Sequence, residues 1–243
     1  MINNNILKFL SETDKIKYKT LEKSVFNFGI SGKDFIEGSA KMETFLLETE
    51  KKYPLSKIRE QFLYSSYRHL AREYRLWIER GIISTTDRHP DMDAYKQMAE
   101  HARNLLIFYN KDLENTTTRE AKKHIFNKMI SIFPSETFED NLKRGELFLR
   151  LGDFLQPNET IQLKDFGEAG ARYQKDDLYL LSARYSSLAY KNGDQESPAF
   201  LQMQTALDKV KNPQKIERYL RKTFNTRFIE LADLWKAQKN SRG

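Results

Sequence analysis

Few side chains in this 243-residue sequence could carry acid–base or metal chemistry. It has four histidines and no cysteine, which excludes disulfides, thiolate metal sites and a cysteine nucleophile. His69 and Glu73 form an i, i+4 pair, and Glu100 adjoins His101 on a neighbouring predicted helix. Such groups from two helices can hold a metal in a helical bundle. The usual Glu-x-x-His signature is missing, so no metal site is assigned, and His69 is expected at a boundary between core and water. Asp87, Asp91 and Asp93 around Pro90 could ligate a hard cation. They also suit a helix N-terminus, which explains their placement without a metal. Gly-rich phosphate loops, G-x-S-x-G elbows and zincin motifs are absent, and no cofactor is expected.

The stronger chemical signal is anion binding. From Asp208 to Gly243 the chain carries ten basic and four acidic side chains, which is +6 of its total +7. Asn212-Pro213 marks a helix start there, and the period predicts one long helix over 214–239. Ile216, Leu220, Phe224, Leu231, Leu234 and Trp235 fall on one arc of roughly 100°, bordered by Phe228. Lys215, Arg218, Arg221 and Lys222 share the opposite side, suited to phosphates or simply to water. Arg227 falls inside the apolar arc, where a cation must be partnered or snorkel, and Ile229 points out among the basic residues.

Two further patterns bear on nucleic acid. Residues 57–80 are predicted as a helix with a core stripe of Ile58, Phe62, Leu70, Tyr74 and Trp77. Arg68, Arg72 and Arg75 recur on another side, with Tyr64 one turn earlier; arginines beside aromatics suit RNA or single strands. A solvated ion-pair face, with Glu79 four residues after Arg75, is the competing explanation. Residues 20–41 resemble a helix-turn-helix, with a corner at Gly29-Ile30-Ser31, Ser31 as cap with Asp34, and Lys33 near the start of the reading helix. Arg119-Glu-Ala-Lys-Lys-His124 resembles the R-x4-H spacing of helical HEPN-type ribonucleases. That resemblance implies Arg119 and His124 acting on RNA, with the histidine as acid or base.

The elements that must position these residues are helices almost throughout, giving an all-α fold of nine to ten helices without a significant sheet. Predicted spans include 14–28, 32–51, 92–113, 119–133, 137–154, 166–191 and 198–210. Thr117 with Glu120 and Asp165 with Glu168 have capping-box spacing, and Ser197-Pro198 marks another start. Tyr53-Pro54 divides a small N-terminal module, 1–52, from a main body, 53–243. Ala183, Ser186, Ser187 and Ala189 allow close helix packing. No apolar run approaches the roughly 18 residues of a membrane span, and no signal peptide is evident, so a cytoplasmic protein is expected. The expectation that follows is a non-catalytic helical protein binding nucleic acid through basic helical faces. Its alternatives are an interaction module for an acidic protein partner and, third, the helical ribonuclease.

Overall fold

The computed structural model describes residues 5–26, 29–84, 90–133, 138–163, 171–190, 197–222 and 225–241. The fold is all-α: ten α-helices and one two-stranded sheet among the described residues. Contacts divide the chain into two compact units, residues 1–110 and 111–243.

The first unit begins with a short 3-10 turn (Ile6–Phe9), followed by α1 (Glu12–Val25), α2 (Gly32–Lys52), α3 (Lys57–Glu79) and the start of α4 (Pro90–Asn115). Ser11, Ser31 and Ser56 each stand just before a helix and accept a hydrogen bond from the backbone N–H three residues on. Each thereby satisfies one donor that the helix itself leaves orphaned. α3 stops in a Schellman arrangement: Ile82 N–H donates to Trp77 O at 3.1 Å and Gly81 N–H to Ile78 O at 2.9 Å. The intervening backbone needs φ of +67° at Gly81, which a side chain would resist.

The division expected at Tyr53-Pro54 is not where the units part. Tyr18 of α1 meets Phe45 of α2 and Phe62 of α3, and the Arg59 guanidinium of α3 donates to the carbonyls of Glu50 and Tyr53. Residues 1–52 therefore share a core with α3. The residues expected to form a helix-turn-helix fall on the end of α1 and the start of α2. Lys17 pairs with Glu48, Lys52 with Asp14, and Gly38 lies against Ser24 and Val25. Those contacts run from Asp14 to Val25 of α1 and from Lys52 back to Gly38 of α2, so these stretches lie antiparallel. A helix-turn-helix crosses near its corner at about 90–120° and diverges. Ser31 does cap α2 as expected, bonded to Asp34.

The second unit holds α5 (Arg119–Ser131), α6 (Phe138–Phe154), β1 (Thr160–Gln162), β2 (Arg172–Gln174), α7 (Lys175–Leu188), α8 (Pro198–Lys209), α9 (Pro213–Lys222) and α10 (Thr226–Ser241). Part of the helix expected over 166–191 is instead an antiparallel hairpin, with Ile161 opposite Tyr173. The expected Asp165 cap lies outside the described residues. The α5 cap is Thr118, one residue later than expected. The small residues of α7 do allow close packing: Ser182, Ala183, Ser186 and Ser187 are buried, and Ser182 Oγ donates to Gly145 O of α6 at 2.8 Å. A Cβ at Gly145 would lie 2.7 Å from Ser186 Oγ.

The long terminal helix is broken in two. α9 ends at Lys222, and Asn225 Oδ1 accepts from Phe228 N–H at 3.1 Å to start α10 afresh. The restart resets the helical phase, so Phe228, expected at the border of the stripe, is fully buried. Ile229, expected to point outward, packs against the core. Phe224 lies outside the described residues.

Candidate nucleic-acid interface

Two apolar residues, Ile216 and Leu220, seat α9 on the core of the second unit. Its start is fixed by Asn212 Oδ1, which accepts from Gln214 N–H at 3.0 Å. The Asp176 carboxylate of α7 holds the preceding turn by accepting from the backbone N–H groups of Lys211 and Asn212. Glu217 ties α9 to α10 through Lys236 at 2.6 Å. Tyr219 packs edge-on against Phe228, with the Arg184 side chain of α7 at its hydroxyl.

These restraints turn the cationic face outward but do not leave it whole. Lys215 is half-buried and committed, with Nζ 3.1 Å from Asp177 and 3.2 Å from Gln174. Its role is to fasten α9 to α7, which removes it from the expected phosphate-binding set. Arg218, Arg221 and Lys222 are exposed and have no acidic partner among the described residues. The spacings from Arg218 to Arg221 and to Lys222 are i+3 and i+4, where like charges repel and cost the helix a few tenths of a kcal/mol. Arg227 is half-buried, as its place in the apolar arc demands, with its guanidinium 5.9 Å from the Tyr190 ring.

The stripe on α3 belongs to the first unit and is largely spoken for. Arg68 is exposed and reaches the Tyr64 hydroxyl at 3.4 Å, and Arg75 lies 4.9 Å over the Tyr95 ring of α4. Arg72 is exposed. The expected core face of α3 holds at Phe62, Leu70 and Tyr74, whereas Ile58 is 44% exposed. Lys33 is exposed in the first turn of α2, beside Asp34 and near Glu37, which would repel phosphate.

Arg119 and His124 both lie on α5, and Arg119 is engaged in structure. Arg119 begins α5, stacks 4.5 Å over the Phe154 ring, and donates to Phe154 O at 2.9 Å and to Glu159 at 2.7 Å. Lys123 binds the same carboxylate. Donors from Arg119 and Lys123 hold the Glu159 carboxyl down at about 2. His124 is exposed. The cation is thereby used as a clamp between α5 and the end of α6.

The histidine and carboxylate pairs also separate. His69 Nε2 is 3.8 Å from Glu73, but His101 turns to a different partner, Glu60, at 2.8 Å. Among the described residues no three His, Asp or Glu side chains gather as metal ligands. Asp91 is buried in the first turn of α4, the helix-start position expected for it; Asp87 lies outside the described residues.

A buried polar cluster was not anticipated. Glu60 is fully buried and accepts from Arg59 Nε and a terminal guanidinium nitrogen, from Asn104, and from His101. A carboxylate can only accept, so His101 Nδ1 carries the proton in that bond. Nothing local to Arg59-Glu60 marked the pair as buried, since adjacent charges on a helix can both face water. The partners 41 and 44 residues away had no signal either. Compared with protein families, curated proteins and solved structures, the chain matches none of them.

Proposed function

We propose that this protein is a non-catalytic nucleic-acid-binding protein that holds the phosphate backbone on the outer face of α9. The observation supporting this reading is the uncompensated trio Arg218, Arg221 and Lys222. Several other cations are drawn into structure, Arg119 by Glu159, Arg75 by Tyr95 and Lys215 by Asp177, and α9 is where three that are unpaired among the described residues stand side by side on one helix face. Three cations left side by side repel one another, and a polyanion relieves that repulsion. Arg184, exposed on α7 beside Tyr219, extends the same surface. Phosphate contacts position without reading sequence, so binding is expected to be similar across unrelated sequences.

The test is binding to duplex DNA, single-stranded DNA and RNA as salt is raised. Replacing Arg218, Arg221 and Lys222 by glutamine should lower the magnitude of the log–log salt slope by about 2–3, at roughly 0.7–0.9 per lost phosphate contact. Absence of salt-dependent binding to all three would overturn the proposal. Equal competition by polyglutamate would transfer the same face to an acidic protein partner. Cleavage of RNA, lost in Arg119→Ala or His124→Ala, would favour the ribonuclease instead.

A further inference from the structure

The first unit contains a cleft of about 250 Å³ where α3 ends, walled by Phe26, Leu76, Trp77 and Ile82, with Glu73 and Arg80 as its charged groups. It is a built feature. The Schellman turn at Gly81 folds Ile82 back over Trp77, and Gly32 at the start of α2 admits Ile82 so closely that a Cβ there would lie 2.6 Å from its Cγ2. Both aromatic walls are braced from behind: Phe35 stacks on Trp77 at 4.8 Å, and His69 stacks on Phe26 at 3.7 Å. The rings are thereby held as fixed flat surfaces.

The polar groups are incomplete. The Glu73 side chain is only 17% exposed, yet its nearest partner among the described residues is His69 Nε2 at 3.8 Å, too long for a hydrogen bond. His69 does not neutralise it. Burial above all pushes the imidazole down to about 4, so it is uncharged at neutral pH. Burial likewise raises the Glu73 carboxyl, although Arg72 and Arg80 pull it down. Arg80 is exposed, with no hydrogen-bond or ion-pair partner for its guanidinium among the described residues. A half-buried carboxylate without a hydrogen-bond donor among the described residues, flat aromatic walls and an exposed guanidinium together suit a ligand.

We propose that this cleft binds a purine nucleotide with a guanine-type edge, its two adjacent N–H donors on Glu73 and its phosphate outward at Arg80. A planar base matches the aromatic walls. A carboxylate can accept from both donors of guanine at once, whereas adenine presents no such adjacent pair. A guanidinium fork matches phosphate oxygens. The volume is a little below the roughly 300 Å³ at which ligand sites begin, which suits a base alone, with its sugar outside the mouth. None of these residues belongs to α9, so this site stands or falls separately from the phosphate-binding face proposed above.

Calorimetric titration of the full chain with GMP, AMP, guanosine and methylguanidine tests the proposal. GMP is expected to bind at least about tenfold more tightly than AMP, the factor carried by one charge-assisted hydrogen bond. Glu73→Gln should bring GMP down to the AMP level, and Arg80→Ala should erase the advantage of GMP over guanosine. Substituting Arg218, Arg221 and Lys222 should leave GMP binding unchanged. No GMP binding at millimolar concentration would overturn the proposal, as would equal affinity for AMP or full retention in Glu73→Gln. Methylguanidine binding more tightly than GMP would also overturn it, in favour of a simple cation site.

Discussion

Glu60 and Glu73 lie on the same helix, both with little exposure, and they end in opposite states. Glu60 near the start of α3 is surrounded by donors from Arg59, Asn104 and His101. Burial alone would raise its carboxyl, but those donors outweigh burial and hold it at about 2. Glu73, thirteen residues on, has a long contact to His69 and only the more distant pull of Arg72 and Arg80, so burial wins and the carboxyl is raised. The same amino acid thus contributes to the fold in one place and burdens it in the other. A buried carboxylate with its donors supplied is part of the structure. One without them, at the wall of a cleft, is a place for a ligand.

The largest expected effect comes from breaking the completed site. Glu60→Ala leaves Arg59 and the His101 N–H buried without their acceptor, and should cost about 3–5 kcal/mol in urea unfolding. A loss under 1 kcal/mol would mean that water reaches the cluster and that the contrast with Glu73 is overstated. Acid provides the second handle. Because the folded pKa of Glu60 is depressed, its contribution is present above the ordinary value of 4.5 and is lost as pH falls towards about 2. Asp14, held by Lys52 and Tyr53, and Glu159, held by Arg119 and Lys123, fall in the same window but are nearer solvent. The acid unfolding curve of Glu60→Gln should therefore be flatter between pH 4.5 and 2 than that of the wild type.

Glu73 should behave with the opposite sign. A carboxyl whose folded pKa is raised stabilises the fold only below its ordinary value, and that contribution disappears as pH rises through the folded pKa. Above that folded pKa the ionised group is a liability, so Glu73→Gln should raise stability there by about 1 kcal/mol or less. A clear loss of stability in thermal unfolding would show that Glu73 has donors after all. The smallest effect belongs to α9. Replacing Arg218, Arg221 and Lys222 by glutamine removes their mutual repulsion but also two cations that favour the last turn of α9, so the melting temperature should change little. A pronounced drop would mean that these cations are structural, like Lys215.

Local signals in the chain were dependable where the deciding contact is a few residues away. Ser31 with Asp34, Asn212 before Pro213 and Ser197 before Pro198 all start helices where their chemistry said they would. The small residues of α7 mark the tightest packing because backbone approach needs short side chains wherever it occurs. The same local reasoning missed the Asn225 restart, because the apolar period carries on across 223–225 and hides the capping residue. It also passed over β1 and β2, three residues each, too short to display an alternation.

Helical class, the absence of cysteine chemistry and the concentration of cations near the C-terminus were determined by the sequence alone, because composition and a 3.6-residue period are properties of the chain itself. Which cations remain free was decided only by tertiary structure. Lys215 and Arg218 look alike in a helical projection, but α7 brings Asp177 to one and leaves the other in water. Glu60 and Glu73 likewise read as two polar residues of one helix until α4 delivers His101 and Asn104 to the first. The physical reason is range. A cap or a periodic stripe is satisfied within a turn of helix, whereas the protonation and availability of a charged group depend on whichever distant segment the fold packs against it.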